Sequence, residues 1–160
     1  MKRSSSKLRS LPALVRAVRA LQKKGKKIVF TNGCFDILHV GHVRYLAQAR
    51  SLGDALVIGL NRDASVARLK GPGRPIVKER ERAEVLSALS SVDFLVFFGE
   101  PTPLKLIRAI KPDWLVKGGD WKKKDIVGWD TVESYGGKVR SLQFVKGFSS
   151  TGLIGKLKAL

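Results

Sequence analysis

The stretch that most limits what this chain can fold into is Thr31-Asn32-Gly33-Cys34-Phe35-Asp36-Ile37-Leu38-His39-Val40-Gly41-His42. Just before it, Lys27-Ile28-Val29-Phe30 reads as a buried strand. Just after it, Val43 to Leu52 reads as a helix, with Val43, Leu46, Ala47 and Arg50 at helical spacing. The stretch is therefore a strand-to-helix turn. Gly33 permits a tight backbone turn there, and Gly41 keeps the helix entrance free of a side chain. His39 and His42 are the chain's two histidines; three apart, they share a face of the first helical turn. The free N–H groups of that turn favour an anion. Two imidazoles beside it can hold phosphoryl oxygens and stabilise charge as a P–O bond breaks, without exchanging protons. Metal ligation is the competing reading of this spacing, but no third ligand lies nearby and one cysteine is poor support for it.

The rest of the chain alternates strands with helices. Ala55-Leu56-Val57-Ile58-Gly59-Leu60 is a continuous apolar run of the kind a parallel sheet buries on both faces. Asn61-Arg62-Asp63 turns into a short helix ending near Lys70. Lys78 to Leu89 reads as a helix with Ala83, Leu86 and Leu89 inward, and Val92 to Phe98 as a third strand. Thr102 caps a helix through Ile110, with Pro103 at its first position. Asp113 to Val116 is a fourth strand, Asp130 to Tyr135 a short helix, and Lys138 to Phe144 a fifth strand. Ser149-Ser150-Thr151 opens a last helix, to about Ala159. Ahead of the motif, Leu11, Leu14, Val15, Val18 and Leu21 make an amphipathic helix, with Ser10 as its cap and Pro12 in its first turn. The first nine residues read as a disordered basic tail. This order implies right-handed βαβ crossovers and an α/β fold, a Rossmann-like open five-stranded parallel sheet with helices on both faces. Ligands of such sheets bind beyond the carboxyl ends of the strands, where strand order reverses. Gly33–His42, Lys117–Trp121 and Gly147–Thr151 all fall at strand ends.

Composition narrows the partners without choosing among them. The chain carries 31 Lys+Arg against 13 Asp+Glu, a net charge of +18, which suits polyphosphates, nucleic acid or an anionic membrane surface. No apolar run approaches the length of a membrane span, so no membrane insertion is expected. One cysteine excludes an intrachain disulfide, and Cys34 reads as a small packing residue inside the motif. With no secretory signal, a reducing cytoplasm is the expected compartment.

Other groups gather round the same edge. Ser149, Ser150 and Thr151 offer hydroxyls and N–H groups at a helix start, a cradle for phosphate as well as a plain N-cap. Lys117 follows an apolar strand directly, so its ammonium should project into the crevice. Asp120 suits a substrate hydroxyl, a hydrated Mg²⁺ or simple loop capping. Gly71-Pro72-Gly73-Arg74-Pro75 is a breaker-rich loop on the ligand-binding edge, and Lys70 and Arg74 make it a candidate phosphate flap. Arg82 lies in Lys78-Glu79-Arg80-Glu81-Arg82, which by itself reads as a solvated helix face. Trp114, Trp121 and Trp129, interleaved with Lys122-Lys123-Lys124, resemble a nucleic-acid platform, but Trp114 belongs to an apolar strand and no RNA-binding signature appears, so no specific nucleic acid is expected.

The run Gly33-Cys34-Phe35-Asp36-x-x-His39-x-Gly41-His42 after a strand resembles the HxGH nucleotidyltransferase superfamily, the cytidylyl- and adenylyltransferases. From about Lys7 to Leu160 the chain is most similar to its ADP-heptose branch. That likeness continues through Asn61-x-Asp63-Ala64-Ser65, Arg74-Pro75, Arg82, Val92-Asp93, Thr102-Pro103 and Lys117-Gly118-Gly119-Asp120. Two departures stand out: Ser149-Ser150-Thr151 where Ser-Thr-Thr is usual, and a larger basic excess. Phe144 occupies about the place of an Arg found in glycerol-phosphate cytidylyltransferases.

The resemblance implies a nucleotidyltransferase domain over residues 27–160, preceded by a tail and helix over 1–26, in the form that stands apart from a sugar kinase. It implies transfer of AMP from ATP, carried with Mg²⁺, to D-glycero-β-D-manno-heptose 1-phosphate, by a homodimer. His39, His42, Lys117 and Arg82 would act on the reacting phosphates. Nucleotide binding would fall to Thr31, Asn32, Gly33, Cys34, Phe35, Asp36 and Gly41, together with Gly118, Asp120 and the Ser149–Thr151 cluster. Asp36 would organise the turn, and Lys70 and Arg74 would close over pyrophosphate. Glycerol 3-phosphate or FMN as acceptor, cytosine as base, and a non-catalytic polyanion-binding protein are the alternatives.

Overall fold

Alternate residues of the first strand, β1 (Ile28–Gly33), go to opposite cores: Ile28 and Phe30 to one, Val29 to the other. That period of two demands a helical layer on each face, and the computed structural model, which describes residues 7–143 and 149–159, has both. Helices α1 (Leu11–Lys23), α5 (Leu104–Ile110) and α6 (Trp129–Ser134) cover one face through Leu14, Val18, Ile107, Ile110 and Val132. Helices α2 (Val40–Arg50) and α4 (Glu79–Ser87) cover the other through Tyr45, Leu46, Ala49, Ala83 and Leu86. Also present are α3 (Asp63–Lys70) and α7 (Ser150–Lys158). Among the described residues no helix is long and apolar enough to cross a membrane.

Strands β2 (Ala55–Asn61), β3 (Phe94–Phe98), β4 (Trp114–Gly118) and β5 (Lys138–Leu142) join β1 in one parallel sheet of order β3-β2-β1-β4-β5. Every residue of β2 is buried, as its unbroken apolar run requires. Acidic side chains tie the lower strand ends: the Asp113 carboxylate accepts the Ile28 N–H at 2.9 Å, and Asp93 accepts the Leu56 N–H at 2.8 Å. The chain builds outward from β1 to β3, then returns to lay β4 on the other side of β1. Strand order thus reverses between β1 and β4, which opens a crevice beyond Gly33 and Gly118.

Local boundaries depart from expectation in ways that have causes. Strand β1 runs on through Thr31, Asn32 and Gly33, because β2 pairs with it in register as far as Gly33 with Leu60. The inward face of α2 is Gly41, Tyr45, Leu46 and Ala49; of the expected Val43, Leu46, Ala47 and Arg50 only Leu46 is buried, and Val43 is exposed. Tyr45 wins the inward position because its hydroxyl finds Thr31 beneath it. Ser10 stands at the N-cap of α1 without a side-chain cap bond, and Pro103, not Thr102, is the N-cap residue of α5. Trp114 is half-buried, not core, with the Lys138 ammonium 5.3 Å from its ring centroid. Residues 7–9 are not a free tail: Leu8 bridges Leu95, and Lys7 and Arg9 bond the Leu95 backbone, adding to the β3 edge. Residues 1–6, Phe144 and Gly147 lie outside the described residues.

Candidate active site

At the end of β1 the chain makes a turn that only Gly33 tolerates. A Cβ there would meet Phe35 Cε2 at 2.9 Å, since Phe35, at φ 46°, folds its ring back over the strand end. That ring lies 5.2 Å from the His42 ring, tilted by 59°. His39 is the N-cap residue of α2, extended at φ −141°, and its carbonyl accepts the His42 N–H at 2.9 Å. One helical turn brings the two imidazoles face to face, their centroids 3.8 Å apart and planes 24° apart. Burial pushes the His42 pKa down to about 4, with His39 adding to the shift, and burial also lowers that of His39. Both rings are therefore neutral at pH 7, able to donate through N–H without carrying charge. His42 Nδ1 is buried without a hydrogen-bond partner among the described residues, a polar atom that a ligand could satisfy.

Behind this pair lies an ionic scaffold. Asp36 is 3% exposed and accepts from Arg74 Nε at 2.6 Å and from the Ile76 and Val77 N–H groups at 2.8 and 2.9 Å. Burial alone would raise its pKa, but the two N–H groups and the Arg74 guanidinium outweigh it and hold Asp36 below the ordinary carboxylate range. Arg82 is 2% exposed and spends its donors on Val77, Cys34 and Asn61 carbonyls and the Asp63 carboxylate, at 2.5–2.9 Å. The expected reach of Arg82 to phosphate is therefore corrected. Its guanidinium joins the ends of β1 and β2 to the start of α4, with four of its five N–H donors engaged there. Thr31, also expected at the nucleotide, is wholly buried with its hydroxyl 2.7 Å from Tyr45 Oη.

In front, a cleft of about 660 Å³ opens at the sheet's switch point. Its floor is Asn32, Gly33, Cys34 and Phe35, with His39 and His42 on one side. Lys117 and Gly118 reach it from β4, Lys70 from the end of α3, Arg74 from the loop that follows, and Ser149, Ser150 and Thr151 from the start of α7. The edge of Asp36 also lines it. Desolvation lowers the Lys117 pKa, and nearby Lys70 lowers it further, so an anion would be welcome. Burial pushes the Cys34 thiol up. At α7, Ser149 Oγ accepts the Gly152 N–H at 2.9 Å, while Ser150 Oγ donates to the Ile37 carbonyl at 3.1 Å, latching the helix start to the histidine loop.

Described residues of all three stretches expected at strand ends line this one cleft. Gly41 and Asp120 do not line the cleft: Gly41 is buried in α2, and Asp120 is exposed. The loop expected to move as a flap is anchored at Arg74 by Asp36, and the Gly71 N–H closes α3 on the Ala67 carbonyl, leaving Pro72 and Gly73 between the two ties. Lining residues outside the expected site are Tyr45, Asn61, Leu69, Phe98, the Pro101–Pro103 turn and Val127, while Trp121 was expected only as the end of the Lys117–Trp121 stretch. Asn61 and Phe98 end β2 and β3, so the strand-end rule applied to every strand would have found them.

Comparison with known proteins agrees with this geometry. The chain is 55% identical over 155 residues to the bifunctional protein HldE of Geotalea uraniireducens, covering 97% of this chain and 32% of that protein. HldE of Geobacter metallireducens is 55% identical over 154 residues, 96% of this chain and 31% of that one. The chain thus spans about a third of the length of the curated relatives it matches. Among solved structures, the lipopolysaccharide core biosynthesis protein from Thermoplasma volcanium has a TM-score of 0.62 and 31% identity, covering 78% of this chain and 100% of that one. Pantoate-beta-alanine ligase from Francisella tularensis has a TM-score of 0.61 at 17% identity, covering 94% and 76%, and shares the fold. With residues 30–152 matching the cytidylyltransferase-like family, the chain belongs to that family of nucleotidyltransferase enzymes.

Proposed function

We propose that the protein transfers AMP from ATP to D-glycero-β-D-manno-heptose 1-phosphate, releasing pyrophosphate and forming ADP-heptose for a surface glycan. The observation that carries this reading is the stacked, neutral histidine pair facing Lys117 across one cleft. The Lys117-Gly118-Gly119-Asp120 turn, the HldE relatives and the lipopolysaccharide core protein support the acceptor.

The acceptor's phosphate oxygen attacks the α-phosphorus in line. A new P–O bond forms as the bond to the bridging oxygen breaks, and pyrophosphate leaves with that electron pair. No side chain need become covalently attached, so the protein's contribution is position and charge. His39 and His42 donate N–H to the oxygens of the crowded phosphorus and, being neutral, do so without giving up the proton. Lys117 neutralises charge where the two phosphates meet, and Lys70 and Arg74 draw the leaving pyrophosphate. The start of α7 cradles the remaining oxygens. Mg²⁺ arrives as part of the Mg–ATP substrate, held by phosphate oxygens and water. Among the described residues no three His, Cys, Asp or Glu side chains cluster as metal ligands. With these substrates the cytoplasm is the expected compartment, and a homodimer is the assembly to test by light scattering.

Pyrophosphate release from each of four NTPs, across a panel of sugar 1-phosphates and glycerol 3-phosphate, tests the reading. ATP with the heptose phosphate should give the highest kcat/KM. A preference for CTP with glycerol 3-phosphate would replace it.

A further inference from the structure

Trp121 stands at the mouth of the cleft, 47% exposed, in the segment that leaves β4. Its indole does not swing freely. The Nε1–H donates to the Gly118 carbonyl at 3.0 Å, and the backbone N–H donates to Ser141 Oγ at 3.3 Å. The Lys117 ammonium lies 5.8 Å from the indole centroid, near the outer limit of a cation–π contact. Val127, 42% exposed, extends the same apolar rim. A large aromatic ring held open to water at a polar cleft, its one donor already satisfied, has only its face left to offer a ligand.

We propose that Trp121 is the platform on which the acceptor's sugar ring stacks, and hence the residue that favours a sugar 1-phosphate over a small phosphorylated alcohol. This rests on the nucleotidyl transfer to a sugar phosphate argued above. The short distance between ammonium and indole decides which ring is meant. In a sugar 1-phosphate the ring is one ester linkage from the phosphate, so a phosphate drawn to Lys117 brings the ring over Trp121. In a nucleotide the base stands beyond a whole ribose, out of reach of this indole while the α-phosphate stays at Lys117. Glycerol 3-phosphate has no ring to stack.

The test compares Trp121→Ala and Trp121→Phe with the wild-type protein in steady-state transfer to the heptose 1-phosphate. The alanine variant should raise the acceptor KM by roughly fivefold to tenfold, and phenylalanine should restore most of it. The KM for ATP should stay within about twofold and kcat should change little. Without ATP, mannose 1-phosphate should quench tryptophan fluorescence in the wild-type protein but not in Trp121→Phe, which keeps Trp114 and Trp129. A rise in the ATP KM in place of the acceptor KM would put the indole under the base and overturn the proposal. Unchanged KM values for both substrates would overturn it too. If the wild-type protein used no sugar 1-phosphate at all, the proposed function would fail, and the quenching titration would still judge Trp121 by itself.

Discussion

Two groups of polar side chains gather round the same short stretch, and they differ in how many partners they already have. Asp36 accepts three hydrogen bonds from protein donors, and Arg82, pinned to the Cys34 carbonyl, donates to four protein acceptors. His42 leaves Nδ1 without a partner among the described residues, and Lys117 lies desolvated in the cleft beside Lys70. The first group is nearly closed: four of the five Arg82 N–H donors and both Asp36 oxygens already have protein partners. The second is open, held at a free-energy cost that an anionic ligand would offset. In a buried site, the number of internal partners separates scaffold from ligand-handling groups better than residue type does.

Substitutions on the two sides should therefore fail in different ways. The largest effect belongs to the open side: His39→Ala or His42→Ala should lower kcat by roughly 10²–10³, as loss of one transition-state stabiliser does. The urea midpoint should stay near the wild-type value. On the closed side, Arg82→Met should cost about 3 kcal/mol of stability, because three carbonyls and the Asp63 carboxylate lose their donor. Arg82→Lys should not rescue it, since one ammonium cannot span four acceptors in a planar fork. Urea unfolding and kcat of the folded protein, measured on both variants, test the contrast. Arg82→Met with full stability and a kcat lowered as far as in the histidine variants would return Arg82 to the phosphates.

The contrast also explains what could be read from sequence. Fold class was legible, because β2's unbroken apolar run and the helical spacings leave little choice of architecture; the strand order β3-β2-β1-β4-β5 was not, since no local pattern encodes which strands pair. Nor was the sorting of motif residues. Arg82 on a helix and Lys117 at a strand end are both cations expected at phosphate, and only the structure shows one engaged by protein carbonyls and the other lining the cleft. Thr31 looked like a ligand residue because it begins the motif, yet the extension of β1 points it at Tyr45. Tyr45 itself was hidden by a mistaken helical stripe, one position out of phase. The apolar rim of Trp121 and Val127 comes from an irregular segment whose course no periodicity encodes.

A smaller effect probes whether Lys117 is open in the sense argued. Lys117→Met keeps much of the stem and removes the charge. It should cost about 2 kcal/mol in kcat/KM, more than tenfold, when both substrates are subsaturating. Thermal stability should hold or rise slightly, because a desolvated ammonium has been removed. A marked fall in thermal stability with kcat/KM intact would place Lys117 with the scaffold.

The smallest effect is a pH dependence that the histidines should impose on the ligand-free protein. His42 titrates at about 4 when folded and near its ordinary 6.5 when unfolded. Between those values the unfolded chain binds the proton and the folded one does not, so stability rises with pH across the window. The contribution is fully present above about pH 6.5 and is lost as the pH falls toward 4. The slope is at most about 1.4 kcal/mol per pH unit, and solvent screening should reduce the whole change to about 1–2 kcal/mol. His39, shifted the same way by burial, adds to the same limb. Asp36 has the opposite chemistry: its folded pKa is depressed below 3.8, so its contribution is lost only below that value, and the two groups separate on the pH axis. Urea unfolding at half-unit steps from pH 4 to pH 8 should show the limb in the wild-type protein and a flatter one in His42→Asn. Saturating pyrophosphate should flatten it as well, since an anion beside the imidazoles favours their protonated form. An unchanged limb in His42→Asn would mean that the proton is taken up elsewhere, and that the ring is not held neutral by its burial in the cleft.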